Sequence, residues 1–271
     1  MTEQWAGLIP GPLVMGILNV TDDSFSGDGL LGDPARAVAA ALAMVRDGAS
    51  VVDIGGESTR PGAEPLSVDV EIARVVPVIE ALRRTGVALS IDTRNAPTMI
   101  AALAAGAAIV NDVSALTYDP RSAGVVASAG CPVILMHMRG TPVTMKDFAR
   151  YGDLVPDIVE ELKARVAAAM AAGISRSCIA VDPGFGFAKD AGQNLVLLRG
   201  LHALTALGLP IVAGLSRKRF IGALTGGAAA ARDSGSIAAG LFAVGQGARI
   251  IRVHDVAGTV QALTVWKALT A

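Results

Sequence analysis

The sequence predicts an α/β fold, a single (β/α)8 barrel of the TIM type spanning residues 1–271, and three observations predict it. Eight short, β-branched apolar runs each stop at polar residues, and each is followed by a longer Ala/Val/Leu stretch with helical spacing. Glycines then recur where a helix gives way to the next strand: Gly48, Gly86, Gly106, Gly130, Gly173, Gly208 and Gly247. A left-handed residue is often required at such a stop, and glycine adopts it without a Cβ penalty.

Taken in order, the first strand is expected at 13–20, where VMGILNV reaches Asn19, with its helix at 34–47 behind Asp33-Pro34. The second, 50–56, carries Asp53 and leads to Glu57 before a helix at 68–85. The third, 88–93, ends on Asp92, and Asn95-Ala96-Pro97 starts a helix at 97–105. The fourth, 109–114, carries Asn111 and Asp112, with Asp119-Pro120 ahead of a helix at 120–129. The fifth, 132–138, reaches His137, and its helix covers 153–172. The sixth, 179–184, gives Asp182, with a helix at 193–207. The seventh, 210–216, leads to Lys218, with a helix at 233–246. The eighth, 249–255, carries Arg252, His254 and Asp255 before a helix at 257–269.

Composition agrees with this plan. The 271 residues suit one barrel of about 250, and 52% hydrophobic against 17% charged suits parallel strands buried on both faces. With 23 Lys+Arg against 24 Asp+Glu, the net charge of −1 offers no diffuse attraction to a polyanion, which argues against nucleic acid as a partner. No apolar run approaches the roughly 20 residues of a membrane span, and no basic leader opens the chain, so a cytoplasmic protein is expected. Cys131 and Cys178 lack CxxC spacing and read as buried thiols.

In such a barrel the C-terminal strand ends converge on one face. The polar residues above are therefore expected to share a site there. Residues 21–33 and 57–67, rich in Gly, Asp, Ser and Pro, form long βα loops 1 and 2 over that face and are expected to act as lids. Lys218, Arg252 and His254 fall near strands seven and eight, the frequent phosphate site, and the Ala257-Gly258-Thr259 helix start is expected to add N–H donors for an anion. Asp92 and Asp182 are acceptors only, and with the Asn111 amide they suit a ligand rich in N–H donors, such as an amino-substituted nitrogen heterocycle. Asn19, with a carboxylate from 21–28, offers oxygen ligands for Mg2+. His137 reads as a pocket-lining or core residue, and Ser216 lacks the GxSxG turn of a nucleophile. Lys218, flanked by Arg217 and Arg219, reads as an anion or carbonyl contact rather than a Schiff-base lysine.

Eight local strings carry a resemblance. MGILNVTDDSFS (15–26), GGESTRPGA (55–63), IDT (91–93), NDVS (111–114), MHMRG (136–140), DPGFGF (182–187), SRKR (216–219) and RVHDV (252–256) resemble the dihydropteroate synthase family, in its order and one per strand. The resemblance implies a folate-pathway transferase that joins 6-hydroxymethyl-7,8-dihydropterin pyrophosphate to 4-aminobenzoate, with Mg2+ and as a homodimer. It implies pterin contacts from Asp92, Asn111, Asp182, Lys218 and Arg252, and pyrophosphate contacts from Asn19, Thr59, Arg252 and His254. Phe25, Ser58, Pro61, Phe187, Lys218 and Arg219 are implied around 4-aminobenzoate, and Asp92, Lys218, Arg252, His254, Thr59 and Arg60 in the chemistry, with Asp23 in loop 1 and Asn19 on the metal.

Two departures stand out. Ser26-Gly27-Asp28-Gly29 shifts the carboxylate of the more usual SFSDGG by one place. Ala188 replaces a more usual glycine where a positive φ is expected. Two alternatives share much of the pattern: a methyltetrahydrofolate-dependent methyltransferase barrel, which does not need STRPG, SRK and RVH together, and a non-catalytic pterin-binding paralogue.

Overall fold

The computed structural model describes residues 5, 11–21, 34–59 and 65–270. Eight parallel strands are present: β1 (Leu13–Asn19), β2 (Val51–Gly55), β3 (Ala88–Asp92), β4 (Ile109–Asp112), β5 (Val133–Met136), β6 (Ile179–Asp182), β7 (Val212–Ala213) and β8 (Ile250–Val253). Their order is β6-β5-β4-β3-β2-β1-β8-β7, and a parallel bridge from Val181 to Ile211 joins the ends, closing the barrel. Each strand is one to five residues shorter than expected.

Period-two alternation builds two cores. Leu13, Met15, Val51, Ile109, Ile134, Ala180, Val212 and Ile250 point inward and fill the barrel together with Trp5, whose Nε1 donates to Cys178 O at 2.7 Å. Their neighbours, among them Leu18, Val52, Ile54, Leu89, Ile91, Val110 and Leu135, point outward under the helices. Continuing the inward parity two or four residues along each strand gives Asn19, Asp53, Asp92, Asn111, Met136, Asp182 and Arg252, so the same alternation that packs the interior delivers polar groups to its C-terminal mouth.

Outside lie α1 (Pro34–Arg46), α2 (Val68–Leu82), α3 (Ala96–Ala105), α4 (Ser122–Ala129), α5 (Leu154–Ala171), α6 (Ala191–Arg199), α7 (Arg219–Thr225), α8 (Asp233–Gly245) and α9 (Val256–Thr270). All seven glycines expected at helix stops have positive φ, from 59° at Gly130 to 123° at Gly106. Cys131 and Cys178 are free and buried.

Three expectations are corrected. The helix at 193–207 is two pieces, α6 and a 3-10 segment Leu201–Leu207. It starts early because Asp190 and Gln193 form a reciprocal capping box, and it breaks at Gly200, where a Cβ would meet Val155 at 2.8 Å. Helix α7 was not expected at all; burial of Phe220 and Ile221 supports it, and Gly226 at φ 72° ends it. The fourth helix begins at Ser122 rather than 120, after a turn in which Asp119 accepts from the Arg121 backbone and side chain.

Candidate active site

At the barrel mouth, Thr59, Asp92, Asn111, Val113, Met136, Asp182, Gly184, Phe185, Phe187, Gly214, Lys218 and Arg252 line one cleft. Asp182 and Lys218 thus open onto the same cavity, as the charge pattern requires.

The centre of the site is a buried charge network. Arg252 donates from Nε to Asp53 Oδ2 and from Nη2 to Asp92 Oδ2, both at 2.6 Å. Asn111 Nδ2 donates to the same Asp53 oxygen at 3.0 Å. Three carboxyl groups, Asp53, Asp92 and Asp182, thus lie close to Arg252 and Lys218 in one small volume. Burial, with Asp53, Asp112 and Glu71 nearby, pushes the Asp92 carboxyl up to about 7 despite Arg252. Burial also raises Asp182, against the Gly184 N–H and the charges of Lys218 and Arg252. Burial disfavours the Arg252 cation too, but Asp53 and Asp92 outweigh that cost and hold it above the ordinary arginine range.

The acceptors of this network are not all used. Asp92 Oδ1 and Asp53 Oδ1 are buried with no hydrogen-bond partner among the described residues. A buried acceptor without a donor costs roughly 1–3 kcal/mol, so Asp92 at the cleft wall is suited to a ligand that brings N–H groups. Room for it comes from glycines: a Cβ on Gly55 would lie 3.6 Å from Asp92 Cβ, and one on Gly214 would lie 3.5 Å from Asp182 Oδ2.

Across the cleft, Lys218 Nζ lies 4.5 Å from the centroid of the Phe187 ring. Lys218 is the N-cap residue of α7, so the unexpected helix is what sets the direction of its side chain. Ala188 has φ 48°, the positive value expected where its Gly was replaced. Ser216 Oγ meets His254 Nδ1 at 2.9 Å and accepts from the His254 N–H at 3.1 Å, so this serine orients an imidazole rather than acting as a nucleophile.

Not every expected residue joins the cleft. Asn19, Ser58 and His254 are half-buried on the same face and Arg219 is exposed at the start of α7, but none of the four is in the cleft wall. Glu57 instead forms a buried pair with Arg94 at 3.0 Å and accepts from Leu66 N, tying both ends of loop 2 together. Asp112 points away and caps the turn through Ser114 and Leu116, whose strained φ values of 51° at Ala115 and 64° at Leu116 it holds in place. His137 is a core residue, paired with Glu161 and Lys189. The α9 start does not offer the expected anion site, because Asp255 already takes the Gly258 N–H through Oδ1 and the Thr259 N–H through its carbonyl. Nor do anions and cations occupy separate halves, since Arg252 sits between two carboxylates. Asp23, Phe25, Asp28, Arg60 and Pro61 lie outside the described residues.

Sequence reasoning placed Asp53 among the polar residues of the site without a binding role, and it missed Val113, Met136, Gly184, Phe185 and Gly214 of the cleft wall. Strand parity was the available signal: Asp53 shares the inward side with Val51, and Met136 with Ile134.

Comparison with known proteins agrees with this geometry. Residues 15–254 match the model of the pterin binding enzyme family. A dihydropteroate synthase of Neisseria meningitidis serogroup C is 46% identical over 262 residues, 95% of this chain and 93% of that protein. A Xanthomonas albilineans dihydropteroate synthase, solved with 4-aminobenzoic acid, superposes with a TM-score of 0.90 at 48% identity, covering 97% of this chain and 94% of that one. The Yersinia pestis dihydropteroate synthase, solved as a sulfonamide drug complex, gives 0.93 at 43% identity, covering 96% and 94%. With a matching family model across most of the barrel and relatives aligned nearly end to end, the chain belongs to the pterin binding enzyme family, among its dihydropteroate synthases.

Proposed function

We propose that this folate-biosynthesis transferase divides its cleft between two substrates, 6-hydroxymethyl-7,8-dihydropterin pyrophosphate and 4-aminobenzoate, and joins them into 7,8-dihydropteroate. Asp92, Asn111, Asp182 and Lys218 read the pterin edge, with the Arg252 guanidinium packed on the ring. The observation that carries this reading is Asp92 Oδ1, a buried acceptor awaiting a donor in a cleft it shares with Asp182 and Lys218. Asn19, Thr59, Arg252 and His254 hold the pyrophosphate, and Phe25, Ser58, Pro61, Phe187, Lys218 and Arg219 surround 4-aminobenzoate, with Arg60 in the covering loop.

The chemistry is a dissociative substitution. The C–O bond from the pterin methylene breaks first, and its electron pair leaves with pyrophosphate. Asp92 and the ring's own electrons stabilise the cation, while Arg252 and His254 favour the departing anion. The arylamine nitrogen then attacks the methylene and sheds a proton to solvent. Because that amine is a weak base, it needs no strong general base, but water competes with it, which is the task of the two covering loops.

Mg2+ fits the donor chemistry. Asn19, half-buried at the end of β1, offers a neutral amide oxygen, and among the described residues no cluster of three His, Cys, Asp or Glu competes for a cation. A hard cation shared among one amide, substrate phosphates and water needs no dedicated protein cage, and when bound it screens the pyrophosphate charge. Purified protein with both substrates and Mg2+ is expected to form dihydropteroate and pyrophosphate. EDTA is expected to stop turnover, and added Mg2+ to restore it. Absence of product would return the non-catalytic paralogue to first place.

Pterin binding should depend on pH through Asp92. Its carboxyl takes up a proton as pH falls through about 7, and the ionised form is the stronger acceptor of N–H bonds because it keeps both oxygens and the charge. Affinity is therefore expected to be constant about one pH unit or more above 7 and to weaken as pH falls through 7 toward 6. Calorimetry with 6-hydroxymethyl-7,8-dihydropterin, which lacks the titrating tail, checks this; Asp92→Asn should bind more weakly and lose the inflection. An inflection that survives in Asp92→Asn belongs to another group.

The chain pairs with a second copy through its last helices, a reading supported by the exposed Phe242 on α8 and Val265 and Leu269 on α9. Sedimentation at micromolar concentration tests it, and a monomer would refute it. No described helix is long and apolar enough to cross a membrane, and two buried free thiols fit a reducing cytoplasm.

A further inference from the structure

Beside the cleft lies a buried lysine that the proposed chemistry does not use, Lys189; burial lowers its ammonium to about 7 against the pull of Asp182 and Glu161. Lys189 is only 8% exposed, and its Nζ donates to Gly184 O at 3.0 Å, Phe187 O at 2.9 Å and His137 Nδ1 at 3.0 Å, so all three ammonium donors are engaged. Burial and the charge of Lys189 push His137 down to about 3, so its imidazole is neutral. It accepts from Lys189 at Nδ1 and donates from Nε2 to Glu161 Oε2 at 3.1 Å.

The same turn is held from a second direction. Arg139 pairs with Glu161 and lies 4.0 Å over the Tyr151 ring. The Tyr151 hydroxyl donates to Ala188 O at 3.0 Å. Three carbonyls of the 184–188 turn are thus gripped by side chains from Lys189 and the 137–161 region. The turn requires this. Gly184, Gly186 and Ala188 have φ of 69°, 82° and 48°, and such conformations persist in a side-chain-bearing residue only where the surroundings over-determine them.

What the turn presents is the Phe187 ring against Lys218. A Cβ on Gly186 would stand 3.2 Å from Lys218 Cδ, so turn and lysine are already in close contact. Asp182 is held by bonds that Lys189 does not itself make, from the Gly184 N–H to Oδ1 and from the His137 N–H to its carbonyl. We infer that Lys189 is a positioning residue for the second substrate: its side chain locks the 184–188 turn so that Phe187 stands against Lys218 as the wall of the 4-aminobenzoate pocket, while the pterin contacts Asp92, Asn111 and Lys218 are placed by β3, β4 and the start of α7. This inference rests on the assignment of Phe187 and Lys218 to 4-aminobenzoate made above.

Steady-state kinetics of Lys189→Met, Phe187→Ala and the double variant test it. Loss of three bonds to a charged donor is expected to raise KM for 4-aminobenzoate by about tenfold or more, with pterin affinity by calorimetry changed less than about threefold. In the Phe187→Ala background the same change should add less than about twofold, because the wall it places is gone. A purely structural lysine would instead lower both affinities, or act additively, and either result overturns the inference. If Phe187→Ala leaves the KM for 4-aminobenzoate unchanged, the substrate assignment itself fails and takes the inference with it. If Phe187→Ala raises that KM and Lys189→Met does not, the inference alone fails. Should Lys189→Met not fold, Tyr151→Phe, which releases only Ala188 O from the turn, is expected to raise the KM for 4-aminobenzoate by roughly twofold to fivefold, and an unchanged KM overturns the inference.

Discussion

Replacing Arg252 with methionine is expected to lower kcat/KM for dihydropteroate formation by about two to four decades. Among the described residues only Arg252 reaches both Asp53 Oδ2 and Asp92 Oδ2, each at 2.6 Å from one guanidinium. Removing the cation strands two buried carboxylates, which costs about 3–5 kcal/mol of fold stability, and it withdraws a preorganised donor from the departing anion, a loss of about two to three decades in rate. The ring-packing surface and a stabiliser of the leaving anion disappear with it. Arg252→Lys keeps the charge but not the fork, because a single ammonium cannot reproduce two directed bonds to separate carboxylates, so it should fall between wild type and methionine. Adding Asp53→Asn to Arg252→Met separates folding from function: it removes one stranded charge and should recover melting temperature without recovering turnover. A methionine variant within threefold of wild type in kcat/KM would remove Arg252 from the chemistry.

Asp182→Asn is expected to weaken pterin binding by about one to two decades, since a hydrogen bond to a charged group is worth roughly 1.5–3 kcal/mol. The backbone should tolerate the change. Asp182 Oδ1 accepts from the Gly184 N–H at 2.7 Å, and an amide oxygen can occupy that place. The loss therefore falls on Oδ2, which lies beside Gly214 of the neighbouring strand segment. There a carboxylate oxygen becomes an NH2 group that repels incoming donors. Calorimetry with the pterin substrate reads the change directly, and an unaltered dissociation constant would take Asp182 out of the site.

How much of this was legible in the sequence differs from residue to residue. The seven helix-stop glycines were readable because left-handed backbone is a local requirement that a side chain resists, and Ala188 was flagged for the same reason. Asp92, Asn111 and Asp182 were readable because each ends an apolar run. Asp53 was listed among the strand-end residues but not as part of the binding set, since a carboxylate within a buried strand makes sense only once its partner is known, and that partner is 199 residues away. Glu57 and Asp255 were placed in the shared site for their type and position, yet Arg94 and the first turn of α9 claim them.

The sequence by itself determined the eightfold alternation of strand and helix, the face on which polar residues gather, and the family whose strings they spell. Those follow from period, turn chemistry and local order, which are properties of neighbouring residues. Only the tertiary structure decided that one arginine sits between two carboxylates, that a short helix aims Lys218 at Phe187, and that a buried lysine holds the turn between them. Pairing energy depends on distance and burial, and both are set when remote segments close into the barrel.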